Sequence, residues 1–264
     1  LPSGLAGVTG LAAGDCVRAR ASLGFLALQP GLFTGQGRDV CGDVWLNTLG
    51  ADHAHAGNAW LGAPDGAPAR AQNSHKGKFG DLAVVGGASG MAGAALLAAT
   101  AGLHGGAGRV FLALLDPSAH SAALARDPAL MCRAVSDLDL TAVAVVAGCG
   151  GGDAIAAHLP HLIVAAASLV LDADALNVLA KQPDLQKRLA QRPTNTTVIT
   201  PHPLEAARLL GCSTAEVQAQ RLDSAQTLAS KLRCTVVLKG SGSIVATPAA
   251  APWINTTGNP RLAT

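Results

Sequence analysis

The chain has 264 residues, 49% of them hydrophobic and only 14% charged, which is enough apolar material for a substantial core and excludes disorder along its whole length. Lys+Arg 19 against Asp+Glu 17 leave a net charge of +2, with no basic run or aromatic–basic alternation, so electrostatic capture of nucleic acid or an acidic membrane has little to act on. Gly, Pro, Asp or His interrupts every apolar stretch short of the roughly 18–20 residues that a membrane-spanning helix requires, and no secretory leader pattern is present. A soluble, cytoplasmic protein is expected. The cysteines at 16, 41, 132, 149, 212 and 234 form no CxxC pair and no zinc-type Cys/His cluster, so they read as small buried hydrophobes.

In chain order, the first fifty residues offer an apolar run at 24–28 and a possible strand at 42–46, separated by the turn-rich Gln29-Pro30-Gly31 and Thr34-Gly35-Gln36-Gly37. That is too little for a core of its own. Residues 51–73 are rich in Ala, Gly, Pro and Asp and read as a linker or a long surface loop. From residue 75 onward, apolar strand-type runs alternate with helical stretches. Strands are predicted at 82–85, 109–115, 142–146, 169–171, 197–200, 235–238 and 243–246, and helices at 92–103, 153–166, 175–181, 204–210 and, as one long element, 214–231. Continuous apolar strands joined by crossover-length helices predict an α/β fold with a largely parallel sheet covered on both faces, the ligand lying beyond the carboxyl ends of the strands.

Four motifs fall at such ends. Gly86-Gly87-Ala88-Ser89-Gly90 follows a strand and opens a helix of small residues; its backbone N–H groups could meet an anion, or the glycines could simply permit a tight turn, and its spacing fits neither GxGxxG nor the Walker loop. Asp172 and Asp174, in Leu171-Asp172-Ala173-Asp174-Ala175-Leu176-Asn177, could hold a metal or a hydroxyl, or cap the helix that follows. In Thr200-Pro201-His202-Pro203-Leu204-Glu205, capping explains Pro203 and Glu205, while His202, set between two prolines, is placed to hydrogen-bond a substrate. Lys239-Gly240-Ser241-Gly242-Ser243 could surround a phosphate or form an ordinary hairpin.

These motifs, together with His75-Lys76-Gly77-Lys78-Phe79-Gly80, Gly105-Gly106-Ala107-Gly108 and Asn255-x-x-Gly258-Asn259, occur in the order found in the ribokinase-like NAD(P)H-hydrate dehydratase family, which residues 75–264 resemble. Leu1-Pro2-Ser3-Gly4-Leu5 and Phe25–Gly37 resemble the closing strands and loops of an NAD(P)H-hydrate epimerase domain, so the order matches the bifunctional bacterial form. The division expected is 1–52 for the end of an epimerase domain related to the Rossmann fold, 53–74 for a linker, and 75–264 for a three-layer αβα dehydratase domain.

The resemblance implies nicotinamide-nucleotide repair. NADH and NADPH add water across a ring double bond, and the family removes it with a nucleoside di- or triphosphate, ADP being typical of bacterial forms, while the epimerase interconverts the hydrate epimers. Phosphorylating the ring hydroxyl replaces a poor leaving group with a good one. It further implies that Ala94 and Gly150 line the hydrate pocket, that His202 contacts the substrate, and that Lys239, Gly240, Ser241, Gly242 and Ser243 surround ADP or ATP. Glu205 would help organise phosphate and Mg²⁺, and Ser3 matches a K⁺ ligand of the epimerase; Gln29 stands where a lysine is common in that segment. A homo-oligomer is expected of the complete enzyme.

The family's dehydratase motif continues beyond Leu262-Ala263-Thr264 into Gly-Gly-Thr-Gly-Asp, whose glycines form an anion hole and whose Asp is the base; the aspartate of the epimerase's Asp-x-Pro-Ser-Gly would fall just before Leu1. The expectation is therefore negligible turnover by this polypeptide alone and both activities in an intact parent. Other readings are a vitamin kinase of the same fold acting on a thiazole or pyrimidine alcohol, and a non-catalytic adenine-nucleotide-binding module. An NAD-dependent dehydrogenase fits least, because the glycine spacing fails.

Overall fold

The computed structural model describes residues 1–51, 57–62 and 70–259. Residues 52–56 and 63–69 of the expected linker, and Leu262-Ala263-Thr264, lie outside the described residues. The strands are β1 (Ala21–Phe25), β2 (Asp43–Asn47), β3 (Trp60–Gly62), β4 (Asp81–Gly86), β5 (Arg109–Leu114), β6 (Met131–Cys132), β7 (Val143–Ala147), β8 (Ser168–Leu171), β9 (Thr197–Ile199), β10 (Thr235–Leu238), β11 (Ile244–Thr247) and β12 (Ala250–Asn255). The α-helices are α1 (Gly37–Val40), α2 (Ala92–His104), α3 (His120–Arg126), α4 (Leu159–Ala165), α5 (Asp174–Lys181), α6 (Pro183–Ala190), α7 (Pro203–Leu210), α8 (Thr214–Ala219) and α9 (Arg221–Leu232). The chain gathers into two compact units: one from Leu1–Gly66, His202–Ser230 and Val236–Thr264, the other from Ala67–Pro201 and Lys231–Thr235.

The second unit carries the parallel sheet. β9, β8, β7, β4, β5 and β6 pair in that order, every pair parallel. Their apolar runs are shielded from water on both faces: Ala83, Val84 and Val85 of β4 are fully buried, as are Val145 of β7 and Leu171 of β8. Helix α2 packs on this sheet through small side chains, with Ala95 and Ala99 buried against Val84, Val110 and Leu112. The order has one reversal. From β4 the chain moves outward to β5 and β6, then returns to the other side of β4 for β7, β8 and β9, so the carboxyl ends of β4 and β7 flank the topological switch point, where such sheets open a ligand crevice.

The first unit is built differently. β1 and β2 form a parallel pair, and a small core of Leu5, Leu32, Val40 and Cys41 holds the surrounding loops. Strands β10, β11 and β12 make an antiparallel meander, and β12 pairs parallel with β3, bringing the rings of Trp60 and Trp253 to 6.3 Å.

Several elements depart from the sequence expectation for local reasons. The run expected at 24–28 forms a strand three residues earlier because Leu26 takes a left-handed φ of 65° and ends β1. The helix expected at 153–166 is a 3₁₀ segment, Gly152–Ala157, followed by α4, which restarts with Pro160 in its first turn, where the missing N–H does no harm. The expected long helix 214–231 breaks at Gln220 (φ −136°, ψ 54°) into α8 and α9, and the first residue after the break, Arg221, is buried. The six cysteines are free thiols, Cys41 and Cys234 buried, and burial pushes the Cys234 thiol up to about 12. Among the described residues no helix is long and apolar enough to cross a membrane.

Candidate active site

The switch point is filled by two glycine loops that clasp each other. Gly87 N–H donates to Cys149 O at 3.0 Å and Ala88 N–H to Gly150 O at 2.7 Å, while Gly148 N–H returns to Val85 O at 3.0 Å. Gly148, Gly150 and Gly152 all have positive φ (112°, 60° and 51°), a curled path open mainly to glycine. At Gly150 the demand is also steric: an added Cβ would stand 2.6 Å from Met91 O and 2.9 Å from Ala94 Cβ. The structure therefore brings Ala94 and Gly150 together, 56 residues apart in sequence, at the first turn of α2.

Neither aspartate after β8 occupies the cap position of α5, which falls to Ala173 and carries no side-chain cap bond. Asp174 Oδ2 instead accepts the N–H of Gly152 at 2.8 Å, pinning the far end of the glycine loop. Ala173 itself has φ 49° and ψ −117°, a conformation a non-glycine residue adopts at a cost on the order of 1–3 kcal/mol. Strain of this kind collects where a loop must be held in one shape.

In the first unit, His202 and Glu205 form a reciprocal cap on α7. The imidazole Nδ1 accepts from Leu204 N–H at 3.1 Å and Glu205 N–H at 3.3 Å, and Glu205 Oε2 accepts from His202 N–H at 2.8 Å. An accepting Nδ1 places the neutral ring's proton on Nε2, which faces Glu205 Oε1 at 3.3 Å. The carboxylate is almost fully buried and the imidazole about half exposed, so the ring's open face is what remains for a ligand. The capping that the sequence assigned to Pro203 and Glu205 thus includes His202.

Lys239 to Ser243 connect β10 to β11 as an antiparallel hairpin. The residue that shapes this loop was not singled out from the sequence. Arg221 Nη2 donates to Leu238 O (3.3 Å), Lys239 O (3.2 Å) and Gly242 O (3.3 Å), and Nη1 to Gln218 Oε1 (2.8 Å). A long-range clamp 17–21 residues away leaves no local pattern; the only signal was an arginine in the middle of the expected helix 214–231. Gly240 has φ 134°, a conformation that disfavours any side chain, and a Cβ there would stand 2.9 Å from Arg221 Nη1, so the guanidinium would have to shift. Ser3 is exposed, its carbonyl accepting from Val17 N–H at 3.0 Å. A cavity of about 750 Å³ in the first unit, with Leu28, Phe33, Trp60, Arg221 and Ile254 in its wall, includes none of the predicted site residues.

Among the described residues no three His, Cys, Asp or Glu side chains converge as a metal-binding group, and both carboxylate oxygens of Glu205 are taken up by the cap. Among the described residues, then, no His, Cys, Asp or Glu group is arranged as a donor set for Mg²⁺.

A parallel sheet with one switch point, wrapped by helices and carrying glycine loops at that point, defines an α/β protein of ribokinase-like fold. Solved structures agree: a ribokinase-like superfamily protein from Enterococcus faecalis superposes with a TM-score of 0.65 at 25% identity over 74% of this chain and 69% of its own. An ADP/ATP-dependent NAD(P)H-hydrate dehydratase from Bacillus subtilis, co-crystallized with ATP and Mg²⁺, does so with a TM-score of 0.65 at 29% identity over 75% of this chain and 71% of its own. Residues 82–264 match the family model described as NAD(P)H-hydrate dehydratase. The chain belongs to the NAD(P)H-hydrate dehydratase family. An ADP-dependent (S)-NAD(P)H-hydrate dehydratase from Neisseria meningitidis is 41% identical over 202 residues, 74% of this chain and 68% of the relative. The bifunctional NAD(P)H-hydrate repair enzyme of Escherichia coli is 36% identical over the whole of this chain, which spans 52% of that enzyme's length. The chain thus covers about half of the bifunctional relatives it matches.

Proposed function

We propose that the protein carrying this sequence removes water from (S)-NAD(P)H hydrate at the expense of ADP or ATP, with residues 1–52 contributing to an epimerase part. The observation that carries this reading is the seating of Gly150 against Ala94 at the switch point. The glycine lets the loop lie tight against the first turn of α2 at the carboxyl ends of β4 and β7, where sheets of this kind take their ligands. Ala94 and Gly150 are assigned to the hydrate pocket, His202 to a substrate contact through its exposed ring face, and Lys239–Ser243 to the nucleotide. Glu205 acts as the organiser of that region, and Ser3 belongs to the K⁺ site of the epimerase part. The terminal phosphoryl group passes from the nucleotide to the ring hydroxyl; the carbon–oxygen bond then breaks with phosphate as the leaving group, and a proton leaves the adjacent ring carbon as the double bond re-forms. The reading is of a cytoplasmic homo-oligomer with NAD(P)H hydrate and adenine nucleotide as its ligands.

The test is turnover by the intact protein that contains this sequence. Incubated with (S)-NADH hydrate, ADP should restore the near-ultraviolet absorbance of NADH, and omission of ADP should abolish the recovery. Consumption of ATP with a thiazole or pyrimidine alcohol, and none with NADH hydrate, would assign it to the vitamin kinases. Binding of ADP without turnover of either would leave a nucleotide-binding module.

A further inference from the structure

Arg221 is 4% exposed, and among the described residues no carboxylate pairs with its guanidinium. Its Nε has no hydrogen-bond partner. Burial lowers its pKa to about 10, so it still carries its charge at neutral pH. A buried cation without a counter-ion is costly unless something else uses its field.

Besides Gln218 Oε1, its partners are the backbone carbonyl oxygens of Leu238, Lys239 and Gly242. No peptide bond of the described chain is cis. In a trans peptide unit the C=O and N–H point in opposite directions. Drawing these three carbonyls toward the guanidinium therefore turns the N–H groups of Lys239, Gly240 and Ser243 away from it. With their carbonyls held behind them and a positive charge on that side, the N–H groups of Gly240 and Ser243 are turned to the outer side of the loop, the side on which a backbone donor can meet an anion. Gly240 belongs to the same device: its φ of 134° suits glycine, and a Cβ there would press on the guanidinium and shift it.

We propose that Arg221 is a positioning residue for the nucleotide, setting the loop 239–243 so that its N–H groups meet a phosphate of ADP or ATP, and that its uncompensated charge adds attraction for that phosphate. The inference rests on the nucleotide-binding reading of the loop given above. Arg221 touches no ligand itself; it acts through the loop.

The test uses calorimetric titration of ADP into the intact protein, its R221K and R221M variants, with thermal melts and steady-state kinetics beside it. Loss of both the loop restraint and the charge in R221M should weaken ADP binding at least about tenfold, whereas R221K, with the charge but without the planar fork, should weaken it about threefold to fivefold. The KM for nucleotide should rise in the same order, and the KM for NADH hydrate should stay within about twofold of wild type, a split that a general structural defect would not give. Should R221M fail to melt cooperatively, R221K decides. R221K or a folded R221M that binds ADP as tightly as wild type overturns the proposal. A wild-type protein that binds no ADP overturns the nucleotide reading itself.

Discussion

Asp174 shows how a single side chain at this site acquires its role. From sequence, a carboxylate at the start of a helix is more readily a cap than a ligand, and residues 172–174 allow both. The structure gives Asp174 to a backbone N–H 22 residues earlier, in the loop that carries Gly150. No local pattern encodes that partner, which explains why the motif was legible as important but not in its purpose. Asp174→Ala should free the glycine loop and raise the KM for NADH hydrate about tenfold with kcat changed far less, while Asp174→Asn, whose amide oxygen can still accept from Gly152, should stay within about threefold of wild type. Steady-state kinetics of the intact protein would decide, and equal KM values in wild type and Asp174→Ala would remove Asp174 from the site. His202 and Glu205 were legible in the opposite sense: the i, i+3 spacing of a capping box can be read directly, and the structure adds that the imidazole is itself the cap.

At the scale of elements, strands β4, β5, β7 and β8 were plain in the sequence, because strands buried on both faces are continuous apolar runs. The elements that escaped did so because of distant partners, short length or close neighbours. β3 and β12 stabilise each other, and residues 57–62, read as part of a linker, contain the strand β3. β6 has two residues, too few to display any period. Helix α6 begins at Pro183, two residues after α5 ends, and blends with it in sequence. Of the two readings of the segment between β10 and β11, the hairpin is what the fold displays, an antiparallel turn whose carbonyls are gathered on one side. Gly240→Ala places a methyl group at φ 134° against the guanidinium of Arg221. It should lower ADP affinity at least about tenfold in the same titration, and a variant that binds like wild type would show that the loop need not keep this shape.

At the scale of the molecule, the switch point lies at the carboxyl ends of β4 and β7, and the amino ends of the same sheet carry a different feature. At the amino ends of β4 and β5, Asp81 and Arg109 face each other in register, with Arg109 Nε donating to Asp81 Oδ1 at 2.9 Å. The Arg109 hydrogen bond, more than its charge, holds the Asp81 carboxyl below the usual carboxylate range. A lowered pKa means that the pair contributes fully above the unfolded value near about 4 and loses its contribution as pH falls through the folded value. Denaturant unfolding should therefore show Asp81→Asn less stable than wild type at neutral pH, the two converging in acid, with no change in KM for NADH hydrate. A gap that persists below the carboxylate range would mean that the side chain acts through packing instead.

The family and its α/β fold could be read from ordered motifs, since each is a strand end whose residue types serve backbone geometry. The placement of Arg221 beneath the loop could not, because it depends on a helix break that the apolar period conceals. The central claim is that the loop 239–243 receives the nucleotide phosphates. Its most direct measurement is a crystal structure of the intact protein with ADP. The account predicts a phosphate within hydrogen-bonding distance of the N–H of Gly240 or Ser243, with Arg221 still clasping the carbonyls behind them. A well-ordered ADP whose phosphates lie away from this loop would contradict it.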